Sequence, residues 1–484
     1  MTTIYNSAQG IAKKIRQGEI SSVEVVQEHL DQIKQHNETL HSVAILTEED
    51  ALAAAEQRDR EAQQGGYRGP LHGVPMTIKE QFWLEGTRST INSDRYEDWV
   101  APEDAVVVDR LKQAGAVIMG KSNVPKDLLD YQVWGDFYPE GKNPYDPAYS
   151  PGGSSGGAAA ALASGMTPIE LGGDFGGSIR IPAYYCGVYG MKPTENTIPH
   201  HGHVPRWDSE RGHVFHMAVG GPMARTVDDL EKIWKAIRGP HHSDRITPRI
   251  DWKDPTDKTL EDYQIAWVDQ WPDYTPSDEI RKVIHDFIET VRNNGAEANN
   301  ASPKHDLHHR SLSVWMRLAH IVLAQDVPWF IKPLMKRQLK GSLYKGMKKF
   351  TREFKQGFKS SFINYSEAMG DRAEIVSDWE RYFEEYDLLI CPMSFGPTYQ
   401  RREAGSKITY EKKTMKYLDY NWPYVACFNA SGHPCMNIPL GLNEEGLPLG
   451  IQVVGPYWSE PELIHFARCV ARQTRGFIAP GKYA

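Results

Sequence analysis

Apolar and polar positions change rhythm several times along this chain. Over the first 65 residues they repeat as helix: Ile11, Ile15, Val23, Val26, Leu30 and Ile33 recur at intervals of three, four and seven. Ser21 and Ser22 stand where the second helix needs an N-cap. A further helical run, 48–64, is rich in Ala and Glu and stops at Gly65-Gly66. From there short apolar runs (74–78, 116–119, 169–171) alternate with helical patterns such as 105–114, and Gly-rich turns separate them. Runs at 387–392, 435–440 and 450–454 read as buried strands, and 460–473 as a closing helix. Strands alternating with helices predict an α/β fold: one large domain over 1–484, with a central mixed β-sheet flanked by helices on both faces.

Residues 241–370 break that rhythm. They are more polar, richer in Trp and Phe, and lack Gly-rich turns, so they read as a helical insertion. Between 332 and 359 stand ten Lys/Arg and one acid, Glu353. Leu339, Leu343, Met347, Phe350, Phe354, Phe358 and Phe362 follow at spacings of four or three, which places them on one helical face. Such a face fits a lid over a site or core packing. A membrane surface is the second reading.

Composition narrows the class. The 484 residues are 40% hydrophobic and 24% charged, a globular balance, and the net charge of −8 argues against a protein that coats nucleic acid. Five scattered cysteines without a CxxC pair look like reduced thiols rather than a disulfide framework. No apolar leader opens the sequence and no uncharged run reaches the roughly 18 residues of a spanning helix, so a cytoplasmic location is expected.

Two Gly/Ser-rich knots carry the chemistry. PGGSSGG at 151–157 runs into AAAALA, and GGDFGGSIR spans 172–180. The first lacks the Lys-Ser/Thr of a phosphate-binding P-loop and the GxGxxG spacing of a dinucleotide site. In the second, glycines precede Ser178, which suits a tight turn that presents a nucleophile beside bare N–H groups. A serine nucleophile needs a base. One of the 18 histidines is an option, although no G-x-S-x-G elbow surrounds Ser178. The other option is Lys79, which ends the apolar run 73–78, where desolvation would lower its pKa.

GVPMTIKE at 73–80, the two knots, GVYGMKPT at 187–194 and GPMARTVDDL at 221–230 together resemble the amidase signature hydrolases. The resemblance covers 1–240 and 371–484 well, and 241–370 hardly at all. It implies Ser178 as nucleophile, Ser154 as a bridging serine after a cis peptide, and Lys79 as general base. Backbone N–H groups of Phe175, Gly176, Gly177 and Ser178 would form the oxyanion hole. No metal and no cofactor is implied. The family's usual Gly-Thr-Asp is here Gly172-Gly173-Asp174, and Glu195-Asn196-Thr197 follows KPT where Gly-Arg is usual. Asp130-Tyr131-Gln132, with Trp134 close behind, replaces a Gly-Ser-Ser stretch that lines the acyl pocket in relatives, which predicts a more aromatic substrate site.

The leading expectation is a stand-alone amidase that cleaves a non-peptide, linear amide with an apolar or aromatic portion, nearest to the fatty-acid-amide-hydrolase-like branch. A carbamate or ester hydrolase of the same family fits the same pocket. The alternative is the glutaminase subunit of a tRNA-dependent amidotransferase, against which stands Met217-Ala218-Val219-Gly220 where that subunit usually has Ser-Leu-Asp-Gln. The expected partner is a small-molecule amide, with no nucleic acid. A homodimer and membrane contact stay open. Five histidines within 17 residues (His200, His201, His203, His213, His216) lack zinc-site spacing and read as a polar pocket rim.

Overall fold

The computed structural model describes residues 2–483 apart from 206–215, 245, 256, 326 and 360. In chain order the strands are β1 (Val43–Leu46), β2 (Pro75–Lys79), β3 (Val117–Ser122), β4 (Ile169–Asp174), β5 (Tyr189–Lys192), β6 (Val219–Ala224) and β7 (Gln264–Trp267). They continue with β8 (Glu297–Asn300), β9 (Leu388–Cys391), β10 (Ile408–Tyr410), β11 (Lys413–Met415), β12 (Cys435–Leu442) and β13 (Pro448–Val454). Among the described residues eleven of them form one sheet in the order β1-β3-β2-β4-β6-β5-β12-β13-β9-β7-β8, and β10 with β11 makes a separate hairpin.

The sheet is mixed. β3, β2 and β4 run parallel, as do β9, β7 and β8, and the strands between are antiparallel. Every residue of β2, β3, β4, β5 and β6 is buried, so helices must cover both faces of the centre. This is why those strands read as continuous apolar or Gly-rich runs rather than as alternating ones. The helix Gly156–Ala163, all small residues and Leu162, packs on β2 and β4. The helix Val227–Ile237 packs on β4, β5 and β6. At one edge β8 carries Glu297, Asn299 and Asn300 outward, a polar margin that discourages pairing with another sheet.

The structure departs from the sequence reading in three places. β1 interrupts the all-helical N-terminal segment: its four residues pair antiparallel with β3, a long-range contact that local periodicity does not report. Residues 241–370 are not purely helical either, because β7 and β8 extend the main sheet. The basic stretch is divided as well, into helices Lys332–Gly341 and Thr351–Gly357 and the start of Phe362–Tyr382. Among the described residues no helix is long and apolar enough to cross a membrane.

Candidate active site

The site lies where β2 and β4 end side by side. Thr77 pairs with Glu170 and Ile78 with Leu171, so Lys79 closes its strand level with the start of the 172–180 turn. Crevices at the carboxyl ends of parallel strands are the usual place for chemistry in open α/β sheets. Lys79 is buried, and its Nζ donates to Ser154 Oγ at 2.8 Å and to Gly173 O at 3.0 Å. Burial lowers its pKa from the ordinary lysine value to about 7, with Asp174 and Glu170 pulling the other way. Glu170, buried beside Thr77, is itself pushed up to about 8 by burial, so it is largely uncharged near neutrality. Two carbonyl and hydroxyl acceptors and a shortage of negative charge therefore surround an amine that can be neutral at working pH.

Ser154 follows the cis peptide Gly153–Ser154. A Cβ on Gly153 would sit 2.2 Å from Asp130 O and 2.9 Å from Gln132 O, so only glycine lets these two backbones meet. The Ser155 N–H donates to Ser178 O at 3.1 Å, which stitches the first knot to the second. Ser178 is half-buried and faces the same cavity as Lys79 and Ser154. No hydrogen bond joins the Ser178 and Ser154 hydroxyls, so the chain of three is closed on the lysine side and open at the nucleophile; such links commonly tighten only around substrate.

The turn after β4 is held by Asp174. Its carboxylate accepts from Gly177 N (2.8 Å), Ile179 N (3.0 Å), Arg180 Nε and Nη2 (both 3.1 Å) and Asn429 Nδ2 (2.9 Å). Burial works to raise its pKa, but the Arg180 guanidinium and these donors hold it well below the usual carboxylate range. Gly177 has φ +100°, and a Cβ there would meet Val425 at 2.4 Å. These contacts correct one expectation. The Gly177 N–H is committed to Asp174, whereas the N–H groups of Phe175, Gly176 and Ser178 have no acceptor among the described residues. Trp315 and Tyr131 fix that stretch from its carbonyl side: Trp315 Nε1 donates to Phe175 O at 2.8 Å and Tyr131 OH to Gly176 O at 2.6 Å.

The cavity beside Ser178 has a volume of about 540 Å³, the size of a small-molecule site. Of the four residues expected to bind substrate, Asp130 and Tyr131 line the cavity. Gln132 and Trp134 do not. Gln132 is buried behind the wall, donating to Arg402 O and Tyr417 OH, and Trp134 lies outside, 41% exposed, with its indole N–H on Asp130. Burial pushes Asp130 up to about 6, against hydrogen bonds from Trp134 and Tyr417. The apolar walls come from residues that sequence reasoning does not single out, above all Trp315, Val322 and Leu323 of the helix Leu307–Leu323, with Leu418 and Trp422. Of the predicted apolar face, Leu343 lines the cavity, Phe354 is core against His320, and Phe362 is 81% exposed.

The histidines disperse. His203 lines the cavity, buried and with its pKa pushed well down, and its Nε2 has no partner among the described residues. His200 meets Ala218 O, His201 meets Glu103 and His216 meets Tyr365, while His213 lies outside the described residues. No group of three or more His, Cys, Asp or Glu is placed to hold a metal among the described residues.

A mixed-sheet α/β enzyme with a lysine and two loop serines at its strand ends is what the amidase family builds. This chain belongs to that family: the family model described as Amidase matches residues 24–464, including the 241–370 stretch that the motifs leave out. A glutamyl-tRNA(Gln) amidotransferase subunit from Thioalkalivibrio sulfidiphilus is 31% identical over 480 residues, 94% of this chain and 95% of that protein. The protein of the same name from Chromohalobacter salexigens is 29% identical over 480 residues, with 94% of each covered. A solved bacterial aryl acylamidase of the amidase signature enzymes shares the fold, with a TM-score of 0.81 at 23% identity over 99% of this chain and 97% of that one. The protein is thus an amidase-signature enzyme that acts on carbon–nitrogen bonds. Both relatives carry the name of the alternative reading rather than of the leading one.

Proposed function

We propose that the chain, acting without other subunits, hydrolyses a linear amide whose acyl or amine portion is apolar or aromatic. The observation that carries this reading is the cavity wall. Around Ser178 stand Trp315, Val322, Leu323, Leu343, Leu418 and Trp422. Free glutamine would need partners for an α-ammonium and an α-carboxylate. Of the charged groups that line the cavity, Lys79 and Asp174 are engaged with Ser154 and Arg180 and Asp130 accepts from Trp134 and Tyr417, while Arg95 stands exposed and Asp127 half-buried.

In this mechanism neutral Lys79 takes a proton from Ser154 Oγ while Ser154 takes one from Ser178 Oγ, and Ser178 attacks the amide carbonyl. The N–H groups of Phe175, Gly176 and Ser178 receive the negative charge on the carbonyl oxygen. The proton returns through Ser154 to the leaving amine, and water then hydrolyses the ester on Ser178 by the reverse path. A carbamate or an ester would follow the same course.

A second reading, glutaminase subunit of an amidotransferase, is favoured by the two relatives named above. One assay separates the two. The purified chain alone is offered glutamine, acetanilide and the anilides of longer and aromatic acids. The proposal expects kcat/KM to rise with the apolar portion and glutamine turnover to be marginal. Glutamine as the preferred substrate, with anilides untouched, overturns it in favour of the glutaminase.

A further inference from the structure

Of the eleven large hydrophobic side chains that are exposed among the described residues, four fall within six positions: Trp329 (82%), Phe330 (64%), Ile331 and Leu334 (64%). A lid turns its apolar side chains inward; this turn does so with only part of its set. Val327, Pro328, Ile331 and Met335 line the cavity, while Trp329, Phe330 and Leu334 point to solvent from the same turn and the helix Lys332–Gly341 that follows. Ile331 belongs to both sets, being 40% exposed and a cavity wall. The apolar surface therefore runs without a break from the outside of the molecule to the neighbourhood of Ser178.

Charge says what covers it. Ten Lys/Arg and one acid occupy 332–359, in a chain whose net charge is −8. Lys349 pairs with Asp273, and apart from it and Lys332 these cations have no carboxylate within ion-pair reach among the described residues. Arg337 and Lys340 stand exposed on the helix behind the apolar turn, and Lys345 and Lys348 follow them. A second copy would meet this face across a two-fold axis, cation against cation, without neutralisation. A surface that is apolar inside and anionic at its margin matches both features: aromatic and aliphatic side chains enter the boundary region while lysines and arginines stay at headgroup level.

We propose that the Trp329–Leu334 turn and the cationic helix behind it dock on a lipid bilayer bearing anionic headgroups, with the mouth of the cavity set against the apolar layer. An apolar amide can then pass from the bilayer to Ser178 along Ile331 without crossing water.

The test is co-sedimentation of the full chain with vesicles of phosphatidylcholine alone and with roughly one-third phosphatidylserine, at low and high salt. Expected are sedimentation with the anionic vesicles at low salt, release at high salt, and at least about tenfold weaker partitioning of two variants, Trp329→Ser/Phe330→Ser and Lys336→Glu/Arg337→Glu/Lys340→Glu. The replaced aromatics are exposed, so the first variant should melt within a few degrees of the parent; the second keeps the proposal testable if it does not. The parent staying in the supernatant, equal binding to neutral and anionic vesicles, or undiminished binding by both variants overturns the proposal. A dimer in light scattering that Trp329→Ser/Phe330→Ser dissociates, without vesicle binding, assigns the face to a second copy instead. The readout needs no substrate, so its failure is separate from failure of the proposed reaction.

Discussion

Lys79 is the most exacting place to perturb this enzyme, because in the proposed mechanism one pKa governs both activity and stability. Burial lowers its pKa from 10.5 to about 7. At pH 7 about half of the molecules hold the neutral amine that the mechanism needs, and at pH 6 about one-tenth do. kcat/KM should therefore fall about tenfold per unit below pH 7 and level off on the alkaline side. The same shift is a folding penalty. An unfolded lysine keeps its proton up to about pH 10.4, so between about 7 and 10.4 the unfolded chain binds a proton that the folded one does not, and stability rises with pH across that window by about 1.4 kcal/mol per unit. Below pH 7 both states are protonated and the full penalty, about 5 kcal/mol, is in force. Lys79→Met removes it. The variant also leaves Ser154 Oγ and Gly173 O without their donor, but that loss does not depend on pH. Lys79 lowers the pKa of Glu170, so the comparison is made in a Glu170→Gln background, where only the lysine differs. Urea unfolding at pH 7, 8 and 9 should show the variant gaining on its parent by about 2 kcal/mol between pH 9 and pH 7. Stability curves that stay parallel, or an acid limb that disappears in a variant of His203, would refute a buried neutral lysine as the base.

Two further outcomes follow from the geometry. Ser178→Ala should abolish both turnover and the covalent adduct that mass spectrometry finds on the parent's 175–180 peptide with a slow anilide, whereas Ser155→Ala should keep the adduct. Phe354→Ala should cost about 3–5 kcal/mol in urea unfolding, since that ring is 2% exposed among His320, Tyr344 and Phe358, and should leave substrate preference alone; Leu343→Ser should do the opposite, raising KM for long anilides with a smaller loss of stability.

Much of this is legible in the residues, and the exceptions share a cause. β2, β3, β4, β9, β12 and β13 fall on the apolar runs that read as strands, with ends shifted by one to three residues. Those runs are buried on both faces, and continuous burial leaves an unambiguous mark. β1, β7 and β8 leave none: they are four-residue strands at or near the sheet edges, made by partners far off in sequence. The meeting of Lys79, Ser154 and Ser178 at one cavity is legible because the serines sit in local Gly/Ser knots and the lysine ends an apolar strand. The commitment of the Gly177 N–H to Asp174 is not, since it depends on where Arg180 and Asn429 hold that carboxylate. Gln132 and Trp134 suggest themselves as cavity residues by proximity in sequence to Asp130 and Tyr131, and the loop turns them away from it. The basic stretch reads as one helical face, but Gly341, Gly346 and Gly357 fall at or between its helix ends, and the face divides into cavity wall, core and exposed rim.

The arrangement of charge around Lys79 resolves a conflict built into the site. The turn that presents Ser178 must be rigid, and a buried carboxylate that gathers backbone N–H groups is an effective way to make it so. Yet a bare anion beside Lys79 would favour the ammonium and remove the base. Arg180 answers this by lying against Asp174, with Gln452, Asn429 and Val425 O completing its hydrogen bonds, so that the anchor is an internally neutral pair rather than a lone charge. Glu170, the other acid on the lysine's side of the sheet, is kept largely protonated by burial near neutrality. The anchor and the proposed base can then share one small buried volume. The same carboxylate selects which donors remain: by taking the N–H of Gly177 it leaves those of Phe175, Gly176 and Ser178 for the oxyanion of the proposed reaction. Trp315, bonded to Phe175 O, sets the pitch of the Gly176 N–H from the far side of that peptide plane, and Tyr131, bonded to Gly176 O, holds the plane whose N–H Asp174 takes. Trp315 also walls the apolar cavity, so the helix Leu307–Leu323, from the region with no recognisable motif, couples the shape of the substrate pocket to the geometry of the oxyanion turn.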